Sequence, residues 1–273
     1  MDMNINEHNI TKEQQRKIKE ALNHIKNYTP KIGVFGDTGV GKSSLCNALF
    51  GKDIASVSDV EACTRDIQEI NLQAADKGGI ILVDVPGLGE DPDRHDEYIE
   101  LYDNLVQELD LLLWVIKADD RKFSTGLEFY ESIKHLDIPV VFVINQIDKI
   151  EPVSEFYENG KKIGETQKAN IERKKQDIVN RFGVQSSHVI PVSATQKIGL
   201  IELVNVAISL LPNEKKFAFS REARKENVSK EAKEEVTRGV WEYISEFLDD
   251  AKEFIVDVIE EAWDRIKPSW WPW

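Results

Sequence analysis

Disulfide chemistry and cysteine-bound metal have almost nothing to work with in this chain. Its 273 residues hold two cysteines, Cys46 and Cys63, which match no metal-ligand spacing and form no disulfide framework, as expected of a reducing cytoplasm. The five histidines, His8, His24, His95, His135 and His188, are equally scattered. No uninterrupted apolar run approaches the length needed to cross a bilayer. The polar segment Met1 to Asn9 lacks the apolar centre of a secretion signal. Positive charge is short as well: 35 Lys and Arg face 49 Asp and Glu, a formal charge of -14. That deficit argues against a general nucleic-acid-binding surface and against a polybasic membrane anchor. The expectation is a cytoplasmic protein without a nucleic-acid partner, with peripheral membrane contact left open.

What is present begins with hydrophobic content of 41%, enough for one domain of ordinary size and an appendage. Between the strand-like run Lys31 to Phe35 and the helix-like run Ser44 to Phe50 lies Gly36-Asp37-Thr38-Gly39-Val40-Gly41-Lys42-Ser43. The spelling is G-x-x-x-x-G-K-[ST], the phosphate-binding loop. Its glycines allow backbone conformations that a Cβ opposes, so that successive N–H groups can surround a phosphate. The helix behind it presents its positive end to the same anion. Lys42 would reach the β- and γ-phosphates, and the Ser43 hydroxyl would ligate Mg2+. A nucleoside triphosphate is expected, its base unspecified by this loop alone.

From Lys31 onward, β-type runs alternate with helical patterns, which implies a mostly parallel sheet with crossover helices. The expected strands are Lys31 to Phe35, Asp66 to Gln73, Ile80 to Val85, Leu111 to Lys117, Val140 to Asn145 and Val189 to Ser193. The Asp66 to Gln73 segment alternates polar and apolar residues and reads as a half-exposed edge strand. Helical spacing falls around Tyr98 to Leu109, Gly126 to Leu136, Ala169 to Phe182 and Leu200 to Leu211. Thr11 and Gln14 have the form of a capping box ahead of an amphipathic N-terminal helix.

Three further motifs lie at the ends of expected strands. Asp84-Val85-Pro86-Gly87 sits at the C-terminal end of the Ile80 to Val85 strand, where an open parallel sheet places its ligands. Asp84 can hold Mg2+ through water, and the Gly87 N–H can meet a γ-phosphate. Thr64, in Cys63-Thr64-Arg65-Asp66, is the preferred donor of a hydroxyl to Mg2+ and an N–H to the γ-phosphate, ahead of Thr38 or Ser58. Asn145-Gln146-Ile147-Asp148 closes the Val140 to Asn145 strand. The Asp148 carboxylate can accept from guanine N1–H and N2, which adenine does not offer in that arrangement. Asn145 would tie this loop to the phosphate loop. In Ser193-Ala194-Thr195, the Ala194 N–H could meet guanine O6.

In this order the motifs resemble the five of the TRAFAC GTPases. Thr64-Arg65-Asp66 and Asp84-Val85-Pro86-Gly87 resemble the Era/TrmE-like branch, and Gly41 to Gly51 with Ser58 to Asp66 resemble the YfjP/YeeP prophage-type GTPases of bacteria. The resemblance covers about Lys31 to Pro212. It implies an α/β P-loop NTPase fold, a Ras-like G domain with a six-stranded, mostly parallel sheet and helices on both faces. It implies GTP and GDP as ligands, bound through Gly36 to Ser44, Asn145, Gln146, Asp148 and Ser193 to Thr195, with Mg2+ on Ser43, Thr64 and Asp84. Lys42, Thr64 and Gly87 would then serve hydrolysis. Three positions depart from the family pattern. Gln146 stands where the family usually has lysine, Leu88 where Ras-like members have a water-orienting glutamine, and Gly39 where TrmE-like members bind potassium through asparagine.

The expected organisation is an N-terminal helix over 1–29, a G domain over 30–212 and a C-terminal helical extension over 213–273. In the last, Val236, Val240, Ile244, Phe247, Ala251, Phe254, Val258, Ala262 and Ile266 sustain an apolar stripe, followed by Trp270, Trp271 and Trp273. Something must cover that stripe: the main domain, a protein partner or second copy through 236–273, or a membrane surface. The functional expectation is a GTP-hydrolysing switch. Its alternative is a low-turnover GTP-binding assembly protein or a membrane-peripheral one.

Overall fold

The computed structural model describes residues 11–51, 68–73, 79–85, 106–120, 124–156 and 162–246, with positions 263, 267, 269 and 271. For 68–73, 79–85, 124 and 125 the backbone alone is described. Six strands form one sheet in the order β2-β3-β1-β4-β5-β6. They are β1 (Lys31–Phe35), β2 (Gln68–Gln73), β3 (Gly79–Val85), β4 (Leu111–Lys117), β5 (Val140–Asn145) and β6 (Val189–Pro191). Every neighbouring pair is parallel except β2 with β3, an antiparallel pair at the sheet edge.

The central strands are buried on both faces, and period-2 alternation sends successive side chains into two different cores. Leu111, Leu113 and Val115 of β4 join one core, while Leu112, Trp114 and Ile116 join the other. Val141 and Val143 of β5 likewise separate from Phe142 and Ile144. On the second face lie α3 (Ser124–Ile133) and α4 (Glu165–Phe182), where Trp114 is surrounded by Phe35, Phe129, Phe142 and Phe182 with ring centroids 4.2 to 5.7 Å away. The first face carries α1 (Lys12–Asn27), α2 (Lys42–Phe50), α5 (Leu200–Leu210), α6 (Asn213–Glu222) and α7 (Lys230–Ser245).

The capping box at Thr11 and Gln14 closes α1, which buries Ile18, Ala21, Leu22 and Ile25. Those residues share a core with Phe217 and Phe219 of α6 and with Val236, Val240 and Ile244 of α7. Trp263 and Trp271 also lie in it, 4% and 5% exposed, with Trp263 edge-on to Phe217. These members of the C-terminal stripe and tail are therefore covered by the chain's own helices, the first of the three covers left open by the sequence. Residues 247–262 of the stripe, with Trp270 and Trp273, lie outside the described residues.

The expected end of the last strand moves. The last strand stops at Pro191, because Ser193 turns away to exchange backbone bonds with Ile198, 3.0 Å in each direction. The start of the expected Tyr98 to Leu109 helix, residues 98–105, lies outside the described residues. Among the described residues no helix is long and apolar enough to cross a membrane.

Candidate functional site

β1 sits between β3 and β4, so the loop that leaves its C-terminal end opens at the middle of the sheet edge where parallel sheets hold ligands. Gly36, Gly39 and Gly41 all have positive φ, 152°, 85° and 92°. The requirement is steric as well as conformational. A Cβ on Gly36 would stand 2.3 Å from the Val115 carbonyl, and one on Gly41 2.6 Å from Asn145 Nδ2. Val40 is buried and pins the loop, while Asp37, Thr38 and Gly39 are exposed around it. Lys42 donates from Nζ to the Gly36 carbonyl at 2.7 Å, folding the lysine back across the loop's start. Gly41 is the N-cap of α2 and supplies no side-chain cap, so the helix N-terminus is not closed by its own first residue. Ser43 lies in the first turn of that helix, and Ser44 is exposed beside it.

The far end of α2 is held with equal care. The Arg224 guanidinium donates to Asn47 O at 3.1 Å, the Arg224 N–H to Leu49 O at 2.7 Å, and Asn227 Nδ2 to Ala48 O at 2.9 Å. These carbonyls belong to the last turn of the helix, where internal donors run out, and the Asn47 carbonyl also accepts from the Gly51 N–H at 3.0 Å. The residues after Pro212 thus fix the helix that carries Lys42 and Ser43, a role the sequence did not announce.

Asn145, 1% exposed, ends β5 and joins two loops. Its Nδ2 donates to Val40 O at 2.9 Å, and its Oδ1 accepts from the Ala194 N–H at 3.2 Å. The Ala194 N–H therefore has a partner inside the protein, and a guanine O6 would have to share that donor. Ser193 and Thr195 hydroxyls share a hydrogen bond at 3.3 Å, with Thr195 exposed. Gln146 turns through the left-handed region, φ 63°, and donates from Nε2 to Gly39 O at 3.0 Å. Asp148 follows in the short 3-10 turn Ile147–Lys149. It is 8% exposed, and its Oδ1 is the buried side-chain oxygen that has no hydrogen-bond partner among the described residues.

The structure thus brings Gly36 to Ser43, Asn145 to Asp148 and Ser193 to Thr195 to one edge. Asp84 joins them through its backbone, opposite Val34 of β1 and one residue from the end of β3. Thr64, Gly87 and Leu88 lie outside the described residues. Sequence reasoning missed Lys149, whose Nζ donates to Gln146 Oε1 at 3.2 Å. It also missed the cleft beside the loop lined by Phe35, Asp37, Val40, Trp114 and Asp120. Behind Asp120 stands Lys174, which donates to the Asp120 carbonyl and whose pKa is lowered because burial disfavours its charge.

Residues 31–146 match the family model described as 50S ribosome-binding GTPase. The chain is 43% identical over 204 residues to the uncharacterized protein YkfA of Escherichia coli K12, covering 72% of this chain and 68% of YkfA. It is 42% identical over 204 residues to the uncharacterized protein YfjP of the same strain, again covering 72% of this chain and 68% of YfjP. Among solved structures, Era in complex with MgGDPNP and nucleotides 1506–1542 of 16S ribosomal RNA is 26% identical, covering 67% of this chain and 57% of that chain, with a TM-score of 0.49.

Proposed function

We propose, from the premise that the chain belongs to the GTPase family of YkfA and YfjP, that it binds GTP with Mg2+, hydrolyses it slowly to GDP and phosphate, and acts as a molecular switch. The observation that carries the choice of base is the buried, donor-less Oδ1 of Asp148. A buried polar atom without a partner is costly, and a ligand that supplies the donor recovers that cost. Guanine offers N1–H and the N2 amine on one edge, a pair that a carboxylate accepts. The phosphates would lie in the Gly36 to Ser43 cradle, where Gly36 and Gly41 let Val115 and Asn145 pack against the loop and the space beside Gly39 is open.

Ser43, Thr64 and Asp84 would hold Mg2+, an all-oxygen donor set suited to a hard cation. Bound there, the ion would neutralise charge on the phosphate oxygens. Lys42 would exchange the Gly36 carbonyl for phosphate oxygens and, with the Gly87 N–H, stabilise charge on the γ-phosphate. Thr64 and Gly87 would read the presence of that phosphate, which is what makes a switch of the two nucleotide states. Leu88 offers no group to orient water, so turnover is expected to be slow without a partner or self-association. The nucleotide unit would comprise residues 30–212, flanked by 1–29 and 213–273.

Phosphate release measured with GTP and with ATP, across a range of protein concentrations, tests hydrolysis. Release from GTP that disappears in Lys42→Ala is the expected result. Background release at every concentration, with GTP bound, would overturn the enzymatic reading and leave a GTP-binding protein.

A further inference from the structure

We infer that Gln146 and Lys149 form a positioning pair that sets the distance between the phosphate loop and the base-recognising carboxylate of Asp148; the inference rests on the guanine-nucleotide reading above. Gln146 adopts a left-handed conformation, φ 63°, which a residue with a Cβ rarely takes without compensation. The compensation is visible in its amide. Nε2 donates to Gly39 O at 3.0 Å, and Oε1 accepts from Lys149 Nζ at 3.2 Å. Both partners demand the same orientation of the amide. Turned over, it would set an oxygen against the Gly39 carbonyl and an NH2 group against an ammonium.

In the order Lys149, Gln146, Gly39 the first two each donate to the next, and the chain ends on the Gly39 carbonyl of the phosphate loop. A cation on the oxygen of an amide draws electrons from its nitrogen and strengthens the N–H as a donor. Lys149 is exposed, and Gln146 is half-buried. A second tie runs in parallel, from Asn145 to Val40 O, but it is neutral and buried. Asp148 lies between Gln146 and Lys149 in the turn they close, and Gly39 lies in the cradle. The pair therefore couples base and phosphate subsites, and its outer member makes that coupling sensitive to salt. A ligand that must occupy both loops at once feels this spacing; one that occupies the phosphate loop alone does not.

The test is the dissociation rate of a fluorescent GDP analogue from the full chain, with inorganic pyrophosphate binding as the control for the cradle. Gln146→Ala is expected to speed release about two- to tenfold, the range set by losing one ordinary hydrogen bond, with pyrophosphate binding unchanged. Gln146→Gly, which keeps the left-handed backbone at ease, is expected to do the same without loss of melting temperature. Lys149→Ala should speed release by a smaller factor that shrinks as ionic strength rises. Gln146→Lys should restore slow release, since a side chain with its own charge can reach Gly39 unaided, and Lys149→Ala should then have no effect in that background. Equal effects of Lys149→Ala in both backgrounds, or unchanged release from Gln146→Ala and Gln146→Gly, would overturn the pair. A wild-type chain that binds no guanine nucleotide overturns the proposed function instead, and is recognised before any variant is compared.

Discussion

Burying a carboxylate oxygen without a donor costs free energy that an aliphatic side chain at the same place does not incur, and Asp148 does this with Oδ1. Stability and binding should therefore respond oppositely to its removal. In the nucleotide-free chain, Asp148→Ala is expected to be neutral or to stabilise, by at most the roughly 1–3 kcal/mol of an unsatisfied buried group. With excess GDP the wild type should gain thermal stability by mass action, and the variant should gain far less. A variant that unfolds earlier without nucleotide would show Oδ1 to be satisfied. Gly41 makes the complementary case. Alanine there would place a Cβ 2.6 Å from Asn145 Nδ2 at φ 92°, costing about 1–3 kcal/mol in backbone strain and breaking the tie to Val40. Urea unfolding and GDP affinity of Gly41→Ala should both fall. At this scale the sequence was legible where a residue type is forced by its place at a strand end or helix start, as with Gly36 and Asn145 in the first case and Lys42 in the second. Lys149 was not legible, because its role depends on the left-handed turn at Gln146, which no periodicity or motif encodes.

The helix α2 connects the cradle to the rest of the chain, and its two ends are held by residues far apart in sequence. At the C-terminal end, Arg224 and Asn227 supply donors to Asn47, Leu49 and Ala48, and Gly51 takes the left-handed cap. Asn227→Ala should leave a buried carbonyl without its donor and cost about 1–3 kcal/mol by urea unfolding. Arg224→Ala should cost less, because its backbone N–H still reaches Leu49. An unchanged unfolding midpoint in Asn227→Ala would remove this cap from the account of how α2 is positioned. The alternation of buried residues on β4 and β5 was readable, since neighbours on a central strand face two cores. The capping by Arg224 was not, because a contact between elements 177 residues apart leaves no local pattern, and the basic stretch containing it reads as solvent-exposed charge.

Across the whole molecule, α1, α6 and α7 close one core from both ends of the chain. Tyr28, at the exit of α1, donates its hydroxyl to the buried Asp110 at 2.7 Å, and Lys215 approaches the same carboxylate at 2.7 Å. Burial first, and Asp110 second, raise the Tyr28 pKa well above that of a free tyrosine. Its contribution to stability is therefore complete below about pH 10, the unfolded tyrosine value, and is lost as pH rises toward the higher folded value. Tyr28→Phe should remove this alkaline dependence from the unfolding curve, and an identical dependence in the variant would contradict the assignment. Shortening the chain to residues 1–212 would expose the faces of α1 and α2 that now meet Phe217, Phe219, Val236 and Val240. Loss of a cooperative thermal transition is expected, and a native-like transition would show the first 212 residues to fold alone. Val236, Val240 and Ile244 were legible as one apolar face, but their cover was not, since periodicity fixes which face is buried and not against what. The central claim is that one edge of this sheet selects guanine nucleotide through Asp148. It is tested most directly by competition of GTP, GDP and ATP for a fluorescent guanine nucleotide on the wild type and on Asp148→Ala. Displacement by GTP and GDP but not ATP in the wild type, with binding weakened about tenfold or more in the variant, is the predicted result; equal displacement by ATP in the wild type would contradict it.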